Sequence, residues 1–263
     1  MRAAFSIRNV IALLSLTLLL SSLTIAITLL NKTKNKVEIS KTTPHLILWA
    51  WERPTDLRFI DTKKFAVAFL ARSILLTANE VNVKPRLQSL QLPEGTNVIA
   101  VARVETDGDK RPTLSKDQRD VVAQTIAALA SLPNVSEVQI DFDATFSQRT
   151  FYRELITDVR QRLPASTRFS ITALASWCMH DDWLSNLPID EAVPMLFRMA
   201  TDGKQVVNQL NAGEDFVAPR CRQSYGISLD EQRPKMLPNR KLFVFNPRAW
   251  TESTVREISE PIK

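Results

Sequence analysis

Between residues 44 and 263 the chain repeats one pattern: a short apolar run, then a longer stretch with helical spacing or turn residues. Strands buried on both faces read as such runs, and parallel neighbours need a crossover between them. Eight runs qualify: His45–Trp51, Phe65–Leu70, Asn97–Val104, Glu137–Phe142, Arg168–Leu174, Val193–Arg198, Ser224–Ser228 and Lys241–Asn246. Eight parallel strands with intervening helices predict an α/β fold, a (β/α)8 TIM-type barrel at the compact end of its size range. An open doubly wound sheet is the runner-up, but it usually carries a Gly-rich first turn, and none is present.

Two crossovers are well signalled. Ser115 with Gln118 resembles a capping box, followed by Val121, Val122, Thr125, Ile126 and Leu129 on one face. Ser147 is placed to cap a second helix with Phe151, Leu155, Ile156 and Val159 on its buried stripe, and Pro164 stops it. The segment Lys84–Leu92 is too proline-punctuated for a helix. Pro194 falls early in the sixth strand, where a ladder donor is lost, so that strand is expected to start later or to carry a bulge.

Composition narrows the chemistry. Five glycines, with no GxGxxG and no GxxxxGK[ST], exclude a Gly-rich phosphate cradle. Two histidines, His45 and His180, and two cysteines without a CxxC spacing build no zinc site. No cofactor or metal is expected. The net charge of +6 looks suited to nucleic acid until it is located. Residues 1–41 hold six bases and one acid, leaving 28 bases against 27 acids for the rest, so the body is near neutral and nucleic acid is not an expected partner.

The basic segment surrounds a membrane signal. Val10–Leu30 is 21 residues without a charge, flanked by Arg2, Arg8 and Lys32. About 20 apolar residues cross a bilayer core, whereas the apolar region of a cleaved signal peptide is shorter. Residues 1–31 therefore read as an uncleaved signal anchor, 32–43 as a polar tether and 44–263 as the barrel. An anchor at the extreme N-terminus with a large following domain places the barrel outside the cytoplasmic membrane. Positive charge at both ends of the span leaves the orientation weakly specified.

In such barrels functional residues gather at the carboxyl ends of strands. Those positions hold Glu52, Arg72, Arg103, Glu105, Asp141, Asp143, Trp177, Asp181, Asp182, Arg198 and Asn246. Acids, arginines and tryptophans at one rim suit a polar, ring-shaped ligand such as a sugar. The QIDFDAT segment is the sharpest feature: alternation puts Gln139, Asp141 and Asp143 on one face, toward the barrel interior or its mouth. Two carboxylates on one face repel and raise at least one pKa, which is what a general acid needs. The alternative is a structural acid held by Arg72, Arg103 or Arg198. For a second carboxylate, Glu105, Asp181 and Asp182 lie on neighbouring strands, and Glu52 lies across the mouth at a wider, inverting-type separation.

Trp177, inside ALASWCMHDDW, reads as a stacking platform, while Trp49, Trp51, Trp183 and Trp250 read as packing. Cys178 and His180 are close in sequence, but a thiol nucleophile also needs an orienting group. A Cys178–Cys221 disulfide is disfavoured by topology, because Cys178 follows a strand at the top and Cys221 precedes one at the bottom.

The segments ILWAWERPTDLRFI, VAFLARSILL, VQIDFDATFSQRTFY, ITALASWCMHDDWLSNLP and DEAVPMLFRM resemble an uncharacterised bacterial family of exported or membrane-tethered barrels, domain of unknown function 3142. The resemblance runs from about Ile47 to Asn246 and implies no activity. More distantly, the fourth strand is similar to chitinase-like barrel glycosidases, whose alternating acids end in a glutamate that protonates the leaving group. Asp141 and Asp143 match the aspartates, but Thr145 occupies the glutamate position, and its hydroxyl is far too weak an acid for that step. The leading expectation is a membrane-anchored hydrolase of an envelope or extracellular glycan such as peptidoglycan. It assigns Asp143 as acid, Asp141 as the neighbour that sets its pKa, and Glu52 or Asp182 as second carboxylate. Arg72, Arg103, Arg198, Asp181, Asn246 and Trp177 hold substrate in that scheme. The alternative is a non-catalytic glycan-binding or envelope-scaffold protein on the same fold.

Overall fold

The computed structural model describes residues 45–259. The strands are β1 (Leu46–Ala50), β2 (Thr55–Asp56), β3 (Phe65–Thr77), β4 (Glu80–Pro85), β5 (Leu90–Gln91), β6 (Asn97–Thr106), β7 (Val135–Asp141), β8 (Arg168–Leu174), β9 (Glu191–Met195), β10 (Ser224–Ser228) and β11 (Lys241–Phe245). The α-helices are α1 (Lys116–Ala127), α2 (Arg149–Arg162), α3 (Ala175–His180), α4 (Gly203–Ala212) and α5 (Glu252–Ser259). Eight strands pair in parallel in the order β1, β11, β10, β9, β8, β7, β6, β3, and β1 also pairs β3, which closes a TIM-type barrel. The anchor (1–31) and tether (32–43) lie outside the described residues; among those described, no helix is long and apolar enough to cross a membrane.

The apolar runs become barrel strands because their two faces bury against different partners. On β7, Val138 and Ile140, with Phe142 beyond the strand, pack against the outer helices, while Ile47, Trp49, Ala66, Ala68, Ile99, Val101, Val193 and Phe243 fill the interior. The interior is divided. Small and apolar side chains line it along β1, β3 and β6, whereas Gln139, Ser170, Thr172, Glu191 and Ser224 line it along β7 to β10, all buried.

As the prolines of Lys84–Leu92 imply, the second crossover is no helix: β3 runs 13 residues and turns into β4, antiparallel to it from Arg72↔Pro85 to Thr77↔Glu80, and β5 beyond the hairpin pairs in parallel with β2, which precedes β3. Several other local expectations need correction. Ser115 and Gln118 do form a capping box on α1, but Val121 faces solvent, and Gln118, Val122, Ala123 and Ile126 are the buried residues. Ser147 caps nothing; it sits inside a 3-10 turn (Phe146–Gln148) ahead of α2, and the Gln148 side chain accepts from the Thr145 amide at 2.8 Å. The sixth barrel strand starts early, at Glu191, and continues through Pro194 in regular register with β8. The missing donor shows on the other side, where β9 and β10 share only the pair Met195↔Gly226. A Cβ at Gly226 would stand 2.8 Å from Met195 Sδ and 3.3 Å from the Pro194 carbonyl oxygen, so a larger residue there has to displace the methionine side chain.

Cys178 and Cys221 are bridged, with Cα atoms 5.8 Å apart. Reasoning from strand ends fails here because α3 follows β8 directly and carries Cys178 away from the strand end. The Phe216–Cys221 segment lies against that helix, with the Val217 and Ala218 amides both donating to the Cys178 carbonyl. Among the described residues no cysteine is free, which closes the thiol-nucleophile reading.

Candidate functional site

At the carboxyl end of the barrel an open cavity of about 360 Å³ is lined from β1, β3, β6, β7, β8, β9 and β11 and the residues that follow them. Pockets of this size, with a few convergent polar groups on an apolar wall, are typical of small-ligand sites. The period of 2 along β6 and β7 sends Arg103 and Glu105, Asp141 and Asp143 to the same inward face. Arg103 is their common partner: Nη1 reaches Asp141 Oδ2 at 2.7 Å, Nη2 reaches Asp143 Oδ2 at 3.4 Å and Nε reaches Glu105 Oε1 at 3.3 Å.

The two aspartates differ in what they are free to do. Asp141 has a side chain 7% exposed, and its other oxygen accepts from Thr172 Oγ1 at 2.7 Å. Both of its oxygens are engaged, so it serves as a fixed charge. The Asp143 side chain is 51% exposed, with only the longer contact to Arg103. Partial desolvation, and then the Asp141 carboxylate, push the Asp143 carboxyl above its ordinary value of 3.8 against the opposing pull of Arg103. A carboxyl that keeps its proton to higher pH while facing an open cavity is equipped to donate that proton.

Opposite the acids stands an aromatic wall. Phe197 and Phe245 are stacked at 5.6 Å with planes 3° apart, Trp49 meets Phe197 edge-on at 6.2 Å, and Trp51 completes the lining. The Arg198 guanidinium lies over Phe245, 5.1 Å from the ring centre. Glu52 lines this cavity too and touches Ser73 Oγ at 3.5 Å. Among the described residues no group of three or more His, Cys, Asp or Glu side chains is arranged to hold a metal ion.

The cavity therefore gathers Asp141, Asp143, Glu52, Arg103 and Arg198 from the sequence-predicted set, together with Glu105. It leaves out the others. Trp177 is not a platform: it is 4% exposed and packs edge-on against Trp183 at 4.8 Å, because α3 turns it into the core. Asp181 pairs with Arg149 at 2.6 Å and accepts the Trp183 amide at 3.0 Å, and exposed Asp182 also lies outside the cavity, so neither carboxylate faces Asp143. Arg72 is turned away by a register shift between Leu70 and Arg72, and its Nη1 donates to the Ala71 carbonyl. Asn246 closes a local turn, accepting the Arg248 amide at 2.9 Å, and lines an adjoining depression. Thr145, at the position of the glycosidase glutamate, contacts Ser147 Oγ at 3.2 Å and leads into the turn before α2.

Sequence reasoning missed Phe197 and Phe245 altogether and read Trp49 and Trp51 as packing. A usable signal was there: Phe197 is two residues beyond inward-facing Met195, and Phe245 two beyond inward-facing Phe243. It also missed Arg86, whose guanidinium donates to the carbonyls of Ala50, Trp51, Arg53 and Gln88 and so fixes the loop that carries Glu52.

No protein-family model matches the chain, so the likeness to domain of unknown function 3142 rests on the sequence segments alone. No curated protein matches it. Among solved structures the chain is similar to the chitinase domain of the spore coat protein CotE from Clostridium difficile, at 11% identity and a TM-score of 0.40. The alignment covers 80% of this chain and 66% of that one, just under two thirds of its length. A likeness that low transfers no residue role.

Proposed function

We propose that the barrel mouth binds a glycan and cleaves it as a glycoside hydrolase, with Asp143 as general acid. The observation that carries this reading is a half-exposed Asp143, its carboxyl raised above its ordinary value by desolvation and the Asp141 carboxylate, that faces an aromatic-walled cavity. In the reaction Asp143 gives its proton to the glycosidic oxygen as the bond to the anomeric carbon breaks. A water molecule adds to that carbon, and Glu52 takes the water's proton. Asp141 and Arg103 keep the acid in place, and Trp51, Phe197 and Phe245 offer apolar surface to sugar C–H faces.

The same reading puts the domain on the outer side of the cytoplasmic membrane, tethered by Val10–Leu30. Its support is the uncharged stretch itself, together with a Cys178–Cys221 bridge of the kind that persists in oxidising compartments.

A second reading, a glycan-binding or scaffold module without catalysis, is favoured by Thr145 standing at the glutamate position and by the full engagement of Asp141. The two separate in one assay. Full-length protein is incubated with peptidoglycan and a polysaccharide panel, and new reducing ends are counted for wild type and Asp143→Asn. Release by wild type alone establishes hydrolysis through Asp143. Binding without release by either protein replaces the enzyme with the binding module.

A further inference from the structure

Beside the mouth lies a second groove of about 520 Å³, bounded by the far half of β3, by β4 and by the loop that follows. It exists because β3 outruns the barrel: the register shift between Leu70 and Arg72 re-aims the strand, and its continuation folds back as the β3–β4 hairpin above the rim. Mouth and groove share Glu52, Leu70, Ser73 and Glu105 as walls, and the contact between Glu52 and Ser73 lies where the two meet.

Both sides of the groove are fixed before any ligand arrives. Arg86 ties the hairpin's exit to the end of β1 and the loop after it through the carbonyls of Ala50, Trp51 and Arg53, so the cleft does not depend on closure. Its surface mixes exposed apolar groups, Val83 and Leu87 (86% exposed), with the polar side chains of Asn82, Lys84 and Gln88. A sugar ring presents the complementary pattern: an apolar C–H face and a hydroxyl edge. Two acids, Glu52 and Glu105, and two bases, Lys84 and Arg86, line the groove, so it carries no net charge and suits an uncharged ligand better than a polyanion.

We propose that this groove holds the units of an uncharged linear glycan that continue outward from the unit seated in the mouth; the inference rests on the glycan reading of the mouth. The ligand is then an internal stretch of a polymer, and affinity grows with chain length.

Calorimetric titration of the full chain with N-acetylglucosamine and glucose oligomers, β-1,4-linked and two to six units long, tests this. The expected result is at least tenfold tighter binding of hexamer than of dimer for one of the series. Leu87→Ala/Gln88→Ala and Val83→Ala variants should lose that gain and bind dimer unchanged. These side chains are exposed, so the variants should keep the wild-type melting temperature. Equal affinity for dimer and hexamer, or a length gain that survives the variants, overturns the groove and leaves the mouth reading intact. No binding of any neutral oligomer, with tight binding of a uronic-acid oligomer, overturns the uncharged ligand. Failure of every glycan to bind overturns both.

Discussion

Strand β7 carries acids at both ends of one inward-facing file, Glu137 at the floor and Asp141 and Asp143 at the mouth, and the two ends have opposite fates. At the floor Glu137 and Glu191 are fully buried, and two cations answer them: Arg168 lies 3.2 Å from Glu137 and 3.5 Å from Glu191, and Lys241 donates to Glu191. Ser170 adds a hydroxyl to Glu137. Charges balance there, and both carboxylates are sealed in, while the Arg168 side chain reaches out to solvent. At the mouth four acids line the cavity against two arginines, and one of those, Arg198, is seated over a phenylalanine. The floor is thus a closed structural network, while the mouth keeps a surplus carboxyl in contact with solvent. Function is argued from that surplus and not from the number of acids, because buried ion networks perturb carboxyls as strongly as active sites do.

The contrast is most easily broken at Arg103, the one side chain on which three mouth acids converge. Arg103→Met leaves Asp141 buried with Thr172 alone, and unfolding in urea should show a loss of about 3 kcal/mol. Adding Asp141→Leu should recover most of it, since an apolar replacement of both partners removes the uncompensated charge. At the floor the corresponding change, Lys241→Met, should cost less, about 2 kcal/mol, because Arg168 remains within reach of Glu191.

The floor also has a pH signature. Burial, and then the Glu191 carboxylate, raise the Glu137 carboxyl above its ordinary 4.5 despite the nearby cations. The folded state therefore binds its proton more tightly than the unfolded chain does. Stability from this group is complete below about pH 4.5 and is lost as pH rises through the higher folded value. Glu137→Gln should flatten that part of the stability profile in denaturant titrations run from pH 4 upward. An unchanged slope would place the effect elsewhere.

How far the sequence carried these conclusions depended on periodicity. Apolar runs with both faces buried yielded the eight barrel strands, and alternation along QIDFDAT put Asp141 and Asp143 on the inward face. Where a local irregularity resets the alternation, the reading fails: the shift before Arg72 removes that arginine from the mouth and creates the hairpin. Trp177 and the cysteine bridge were misread for a related reason. The six residues after β8 form a helix and are not strand-end positions, and that helix buries Trp177 and brings Cys178 to Cys221. Asp181 and Asp182 fail as mouth acids because they follow that helix and not the strand end itself.

The smallest expected effect on folding is also the one that separates the two ends most sharply. Asp143→Asn removes a half-exposed carboxyl whose single protein contact is the long one to Arg103, so the melting curve should move by no more than about 0.5 kcal/mol. Asp141→Asn acts on the same group from the other direction. It deletes the neighbouring negative charge and releases Arg103 toward Asp143, and both changes favour the ionised form. Carbon-detected NMR titration of the Asp143 carboxyl should therefore show its midpoint fall in Asp141→Asn, and any activity that needs the protonated acid should be lost at lower pH than in wild type. A midpoint that stays put would mean that desolvation alone sets this carboxyl, and that Asp141 anchors Arg103 without tuning its neighbour.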